Sequence, residues 1–203
     1  MSIETLTLAM TGASGAPYTL RLMQLCLQAN IHIQFICSKP GQIVMGMESD
    51  LKLTGNAQKM KQQLVSYFDA DSSRIHVYAK DQWTAPVASG SSVSDAMVVC
   101  PCTMGSLASI ASGTGDNLIH RAADVIIKER KKLILVPRET PFSSIHLENM
   151  LKLSNLGVVI LPPNPGFYQG VNKPGDLVDF VVARILDQLG IDNDISPRWG
   201  SSE

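Results

Sequence analysis

Six short apolar runs, spaced along the chain and separated by stretches whose apolar residues recur at helical intervals, leave few folds open. The runs Thr5–Met10, His32–Ile36, Arg74–Tyr78, Ala96–Cys100, Lys132–Val136 and Val158–Leu161 read as strands. The intervening segments Ala16–Gln28, Gly41–Met47, Ala57–Phe68, Met104–Ser112, Leu118–Arg130, Ser143–Leu156 and Asp176–Leu189 read as helices. In the last, Leu177, Phe180, Val181, Ile185 and Leu189 fall on one face. Strands alternating with helices, several of them apolar on both faces, predict a parallel sheet covered on both sides. With 203 residues, 45% of them hydrophobic, and no internal repeat, the chain fits one domain, 1–203.

The polar turns then share one edge of that sheet. TGASG (Thr11–Gly15) follows the first strand, Ser38 the second, PCTMGS (Pro101–Ser106) the fourth and PRETPFSS (Pro137–Ser144) the fifth. In open α/β sheets, ligands bind at the carboxyl ends of the strands. TGASG, between a strand and a helix, suits an anion held by backbone N–H groups; it equally suits a plain tight turn with Ser14 as N-cap. Two segments resist regular structure, Ala79–Ser94 and the Pro162–Pro174 stretch, as does the chain beyond Gly190. Such Gly-, Pro- and Ser-rich stretches are expected to be functional loops.

Charge narrows the partners. Seventeen Lys and Arg against 18 Asp and Glu give no global field for nucleic acid or an anionic membrane, so any anion is held locally. No apolar stretch approaches the roughly 20 residues of a membrane span and no signal-like leader opens the chain, so a cytoplasmic protein is expected. Cys26, Cys37, Cys100 and Cys102 match no zinc spacing and read as reduced thiols. Cys102 at a helix start is a conceivable nucleophile, but no His lies nearby in sequence to serve as base. Arg121, Lys128, Arg138 and Arg184, with Tyr168, are phosphate-binding types set among apolar residues. Arg121, Lys128 and Arg184 are also compatible with solvated helix faces, whereas Arg138 ends a strand in the crevice.

TGASGAPY, GMESD, ASGSS, SDAMVVCPCTMGSLASIASGTGDNLIHRAADVIIKE, LVPRETPFSSIHLENMLKLSNLGV, LPPNPGFY, DLVDFVVARILDQLGI and PRWG together resemble the UbiX family of flavin prenyltransferases over nearly the whole chain. The resemblance implies a Rossmann-like or flavodoxin-like sheet, a homo-oligomer, expected as a dodecamer, and metal-independent transfer of a dimethylallyl group. The donor is dimethylallyl monophosphate and the acceptor reduced FMN, alkylated at N5 and then C6. Prenylated FMN would pass to a UbiD-type decarboxylase, as in ubiquinone biosynthesis.

By the same resemblance Gly12, Ala13, Ser14, Ser38, Thr103, Met104, Gly105, Ser106 and Arg138 line the FMN. Ser89, Arg121, Lys128, Arg138, Glu139, Tyr168 and Arg184 bind the prenyl phosphate. Catalytic roles fall to Ser14, Glu48 as proton acceptor or relay, Lys128, Glu139, and Trp83 and Trp199 as walls of the prenyl pocket, the proton-moving group being Glu48, Glu139 or the phosphate itself. The site is expected to be shared at subunit boundaries, with Arg121, Lys128 or the terminal PRWG reaching a neighbouring subunit's site, and the tail from about residue 190 over the site or a neighbouring subunit. Read from the residues alone, Glu48 is also compatible with an exposed helix carboxylate. The alternatives are an FMN-dependent cysteine-type decarboxylase and a non-catalytic FMN carrier. Against the decarboxylase stand Trp83 near the place of that group's catalytic His, PCTMGS in place of its P-A-x-A-N-T turn, and the lack of its P-x-M-N-x-x-M-W motif.

Overall fold

A computed structural model describes residues 3–54, 56–167, 170–198 and 200. Its strands are β1 (Thr5–Met10), β2 (His32–Cys37), β3 (Ile75–Tyr78), β4 (Ala96–Cys102), β5 (Lys132–Pro137) and β6 (Val159–Ile160). They form one fully parallel sheet in the order β3-β2-β1-β4-β5-β6. The helices are α1 (Ala16–Gln28), α2 (Lys39–Glu48), α3 (Ala57–Phe68), α4 (Met104–Ser112), α5 (Leu118–Lys128), α6 (Ser144–Asn155) and α7 (Pro174–Leu189). The expected elements are all present. The loop 79–94 holds two 3₁₀ turns, Pro86–Ala88 and Gly90–Ser92. β6 is shorter than expected, and α2 begins two residues earlier because Pro40 sits in its first turn, where a missing N–H costs nothing.

Strand alternation divides the core in two. Leu6, Leu8 and Met10 of β1, Val98 of β4 and Ile134 and Val136 of β5 pack with α1, α3 and α7 on one face. Ala9, Met97, Val99, Leu133 and Leu135 pack with α4, α5 and α6 on the other. The alternation breaks once. Cys100 faces the first core, but Cys102, two residues on, faces the second, where the β4–β5 register shifts between Val99 and Cys102. Pro101 lies inside that irregularity, where its missing N–H could not serve a ladder. On the first face Arg21 of α1 grips Asp179 of α7 through Nε at 2.6 Å and Nη2 at 3.3 Å.

The sheet therefore has a carboxyl edge, where the polar turns lie, and an opposite amino edge. Direction reverses between β1 and β4, the neighbours from which the chain winds outward both ways, and this opens a crevice at their carboxyl ends.

Candidate functional site

Backbone hydrogen bonds tie the four polar turns side by side. Ser38 N–H donates to the Met10 carbonyl (3.0 Å), Thr11 N–H to that of Pro101 (3.1 Å) and Arg138 N–H to that of Cys102 (3.3 Å). Thr11 adds a staple: its buried hydroxyl donates to the Pro101 carbonyl at 2.8 Å and accepts from Thr103 N–H at 2.8 Å. Gly12 is forced by crowding, since a Cβ there would lie 2.4 Å from Pro40 Cβ. Gly15, at φ +138°, adopts backbone that L side chains rarely take.

The N-terminus of α1 is an anion site, and its anion is part of the protein. Glu48, the last residue of α2, accepts from Gly15 N–H at 2.8 Å and Ala16 N–H at 2.9 Å with one carboxylate oxygen. Gly15, not Ser14, is the N-cap, and it makes no side-chain cap of its own. Burial pushes the Glu48 carboxyl up. Hydrogen bonds from Ser14, Gly15 and Ala16 and the charge of Arg138 more than offset this and hold it below its ordinary value. Ser14, Glu48 and Arg138, from the β1 turn, α2 and the end of β5, thus meet in one electrostatic cluster. A bound phosphate cannot also take the Gly15 and Ala16 N–H groups while Glu48 holds them.

Other expected residues have local partners. The Ser38 hydroxyl accepts from Gly41 N–H (3.0 Å), and that of Thr103 accepts from Ser106 N–H (3.2 Å), each capping its helix. Gly105 differs: a Cβ there would meet no protein atom within 4 Å, so its bare backbone on the first turn of α4 faces open space. Met104 is buried, and Glu139, beside Arg138, accepts from Thr140 N–H at 3.1 Å. Burial pushes the Cys100 thiol up to about 12 and raises that of Cys102 as well, which leaves both as thiols and removes Cys102 as a nucleophile.

The remaining expected residues lie elsewhere on the chain. Lys128, at the end of α5, pairs with Glu129 and shares a cavity of about 490 Å³ with Lys132 and Leu133 at the start of β5 and Val158 before β6. That is the amino edge of the sheet. Ser89 lies in the same region, because the next residue, Gly90, abuts both Lys128 Nζ and Glu129. Arg121 Nε donates to the Ala88 carbonyl at 3.1 Å, and its Nη1 pairs with Asp124 at 2.8 Å. Arg184 of α7 pairs with Asp187 at 2.8 Å, and the end of α7 is tied to the amino edge by Lys132 Nζ donating to the Gln188 carbonyl. Trp83 is half exposed in the loop after β3. Tyr168 and Trp199 fall outside the described residues. The tail segment 191–198 folds back on α7, where Ile191 and Ile195 join the first core and Arg198 pairs with Asp187.

One chain therefore gathers Ser14, Glu48, Arg138 and Glu139 at the carboxyl edge and Ser89 and Lys128 at the amino edge. β5 lies between Arg138 and Lys128, and its six residues span about 20 Å. Sequence reading missed the staple by Thr11 and the capping of α1 by Glu48. A residue-by-residue scan carries no signal for contacts between residues 33 or 92 positions apart. Among the described residues no three His, Cys, Asp or Glu side chains gather as a cation site, and no helix is long and apolar enough to cross a membrane.

The chain is similar to known proteins in sequence and in fold. The family described as Flavoprotein matches residues 1–186. The flavin prenyltransferase UbiX of Pseudomonas aeruginosa is 56% identical over 197 residues, 97% of this chain and 94% of the relative. The protein of the same name from Halalkalibacterium halodurans is 44% identical over 194 residues, 96% of this chain and 92% of the relative. Among solved structures, AnUbiX in complex with FMN and dimethylallyl pyrophosphate is 37% identical at a TM-score of 0.88, covering 99% of this chain and 100% of the other. A dodecameric FMN-dependent Ubix-like decarboxylase from Escherichia coli O157:H7 is 38% identical at a TM-score of 0.86, covering 97% of this chain and 100% of the other.

Proposed function

This chain belongs to the UbiX family of flavin prenyltransferases, and from that premise we propose that it joins dimethylallyl monophosphate to reduced FMN, at N5 and then C6, releasing phosphate and prenylated FMN. Bound FMN supplies the nucleophilic ring that accepts the prenyl carbons, and this chain's own residues do the rest. The observation that carries the reading is the meeting of Ser14, Glu48 and Arg138 at the carboxyl ends of the central strands.

Gly105 supports the fit to FMN. Its missing side chain relieves no clash within the protein, yet a ligand approaching the first turn of α4 gains the bare backbone. Gly12, Ala13, Ser14, Ser38, Thr103, Met104, Gly105, Ser106 and Arg138 hold the flavin in this reading. Arg138, exposed at the end of β5 beside Glu139, offers a guanidinium fork to phosphate. Glu48, kept ionised by its N–H partners and by Arg138, accepts the proton lost as the second carbon bond forms. Glu139 orients the basic groups and passes a proton to the leaving phosphate.

The prenyl phosphate is held by Ser89, Arg121, Lys128, Arg138, Glu139, Tyr168 and Arg184, with Trp83 and Trp199 against the prenyl tail, and the charge on the departing phosphate is met by cationic side chains without a metal. The site is completed between copies of the chain, because Lys128 and Arg138 occupy opposite edges of one sheet. Ile145, Leu147 and Leu151 on α6, each more than half exposed, supply apolar surface for such an assembly, proposed as a homododecamer. The enzyme works in the cytoplasm, and its product serves a UbiD-type decarboxylase, with ubiquinone biosynthesis the favoured setting. The test is stoichiometry. Anaerobic turnover releases one inorganic phosphate per reduced FMN consumed; flavin bound and returned with no phosphate released identifies a carrier instead.

A further inference from the structure

Away from the strand-end crevice, Asp187 of α7 is the shared partner of three groups. Its Oδ2 accepts from Arg184 Nη1 at 2.8 Å and from Arg198 Nη1 at 3.4 Å. Its Oδ1 accepts from Arg198 Nη2 at 3.0 Å and from Asn193 Nδ2 at 3.2 Å, and Arg198 Nη2 also donates to the Asn193 carbonyl at 3.2 Å. The Asp187 side chain is only 19% exposed, whereas those of Arg184 and Arg198 are 55% and 57% exposed. A largely buried carboxylate thus carries two cations that both remain open to solvent. One belongs to the helix and the other to the chain terminus.

We propose that Asp187 is a positioning residue that couples docking of the C-terminal segment 191–198 to capture of the prenyl phosphate. The inference rests on the reading that Arg184 binds that phosphate. A phosphate competes with Asp187 for the Arg184 fork. As Arg184 turns to the phosphate, Arg198, already bonded to both Asp187 oxygens, is left as the cation that balances this carboxylate, so phosphate capture tightens the hold on the tail. Linkage is reciprocal: a docked tail in turn favours phosphate binding, and releasing it weakens that binding.

The test uses the full-length protein loaded with oxidised FMN, which does not turn over. Trypsin cleaves after Arg198, and intact mass follows the loss of residues 199–203. Dimethylallyl monophosphate is expected to slow this cut about fivefold, with no such protection in Asp187→Asn. In turnover assays Arg198→Ala is expected to raise KM for the prenyl phosphate about fivefold, with FMN affinity unchanged and partial rescue in Arg198→Lys. If Arg184→Ala raises KM while Arg198→Ala does not and the tryptic rate ignores the ligand, the coupling is overturned. If Arg184→Ala leaves KM unchanged, the reading of Arg184 falls and the proposal with it.

Discussion

Glu48 does at residue scale what neither a bare helix carboxylate nor a free catalytic base would do. It caps α1 through Gly15 and Ala16, and those same N–H groups keep it ionised, so in the proposed mechanism one side chain serves both stability and chemistry. Glu48→Gln is therefore expected to retain flavin yet stop after the first carbon bond, a product separated from the finished one by its absorbance spectrum. The variant also has a stability signature. A folded-state pKa below the ordinary 4.5 means that the carboxylate stabilises the fold above that pH and loses its contribution as pH falls through the folded value. The deficit of Glu48→Gln, about 1 kcal/mol at neutral pH, should shrink in thermal melts as pH falls below 4.5 and through the lowered folded-state value. Arg138 lies where both ligands are expected. Arg138→Ala should weaken FMN and prenyl phosphate by about tenfold each, read by flavin fluorescence titration and by KM.

At the scale of elements, the strands and helices were legible because alternation and helical spacing are local signals. The first strand, both bounds of α1 and those of α3 and α4 lie where the pattern puts them. The polar ends of β1, β2, β4 and β5 were legible as a crevice for the same reason. What ties those ends together was not. The Thr11 staple to β4 joins residues 90 and 92 positions apart, and TGASG reads alike whether its helix is capped by Ser14 or by a distant carboxylate. Thr11→Val keeps the volume of that side chain but leaves the Thr103 N–H without its acceptor. A cost of about 1–3 kcal/mol is expected, with a matching fall in melting temperature and weaker flavin binding.

At the scale of the whole molecule, one sheet cannot bring Arg138 and Lys128 together, since they lie beyond opposite ends of β5. The family resemblance gathers these residues at one phosphate in a site shared between subunits, and their separation within one chain supports the proposal that different copies supply them. Local spacing already implied that separation, because Lys128 precedes and Arg138 follows one strand; which other residues share each edge depends on strand direction, which only the assembled sheet defines. Assayed at substrate concentrations where neither variant alone turns over measurably, Lys128→Ala and Arg138→Ala, dissociated and reassembled together, should recover about a quarter of wild-type turnover if each site draws one residue from each of two copies. Mixtures as inactive as their parents would place both residues in a single chain's site. The most direct measurement of the central claim is the mass of the flavin released after anaerobic incubation with reduced FMN and dimethylallyl monophosphate. The account predicts FMN heavier by one five-carbon prenyl unit. Flavin of unchanged mass, from protein shown to bind it, would contradict the account.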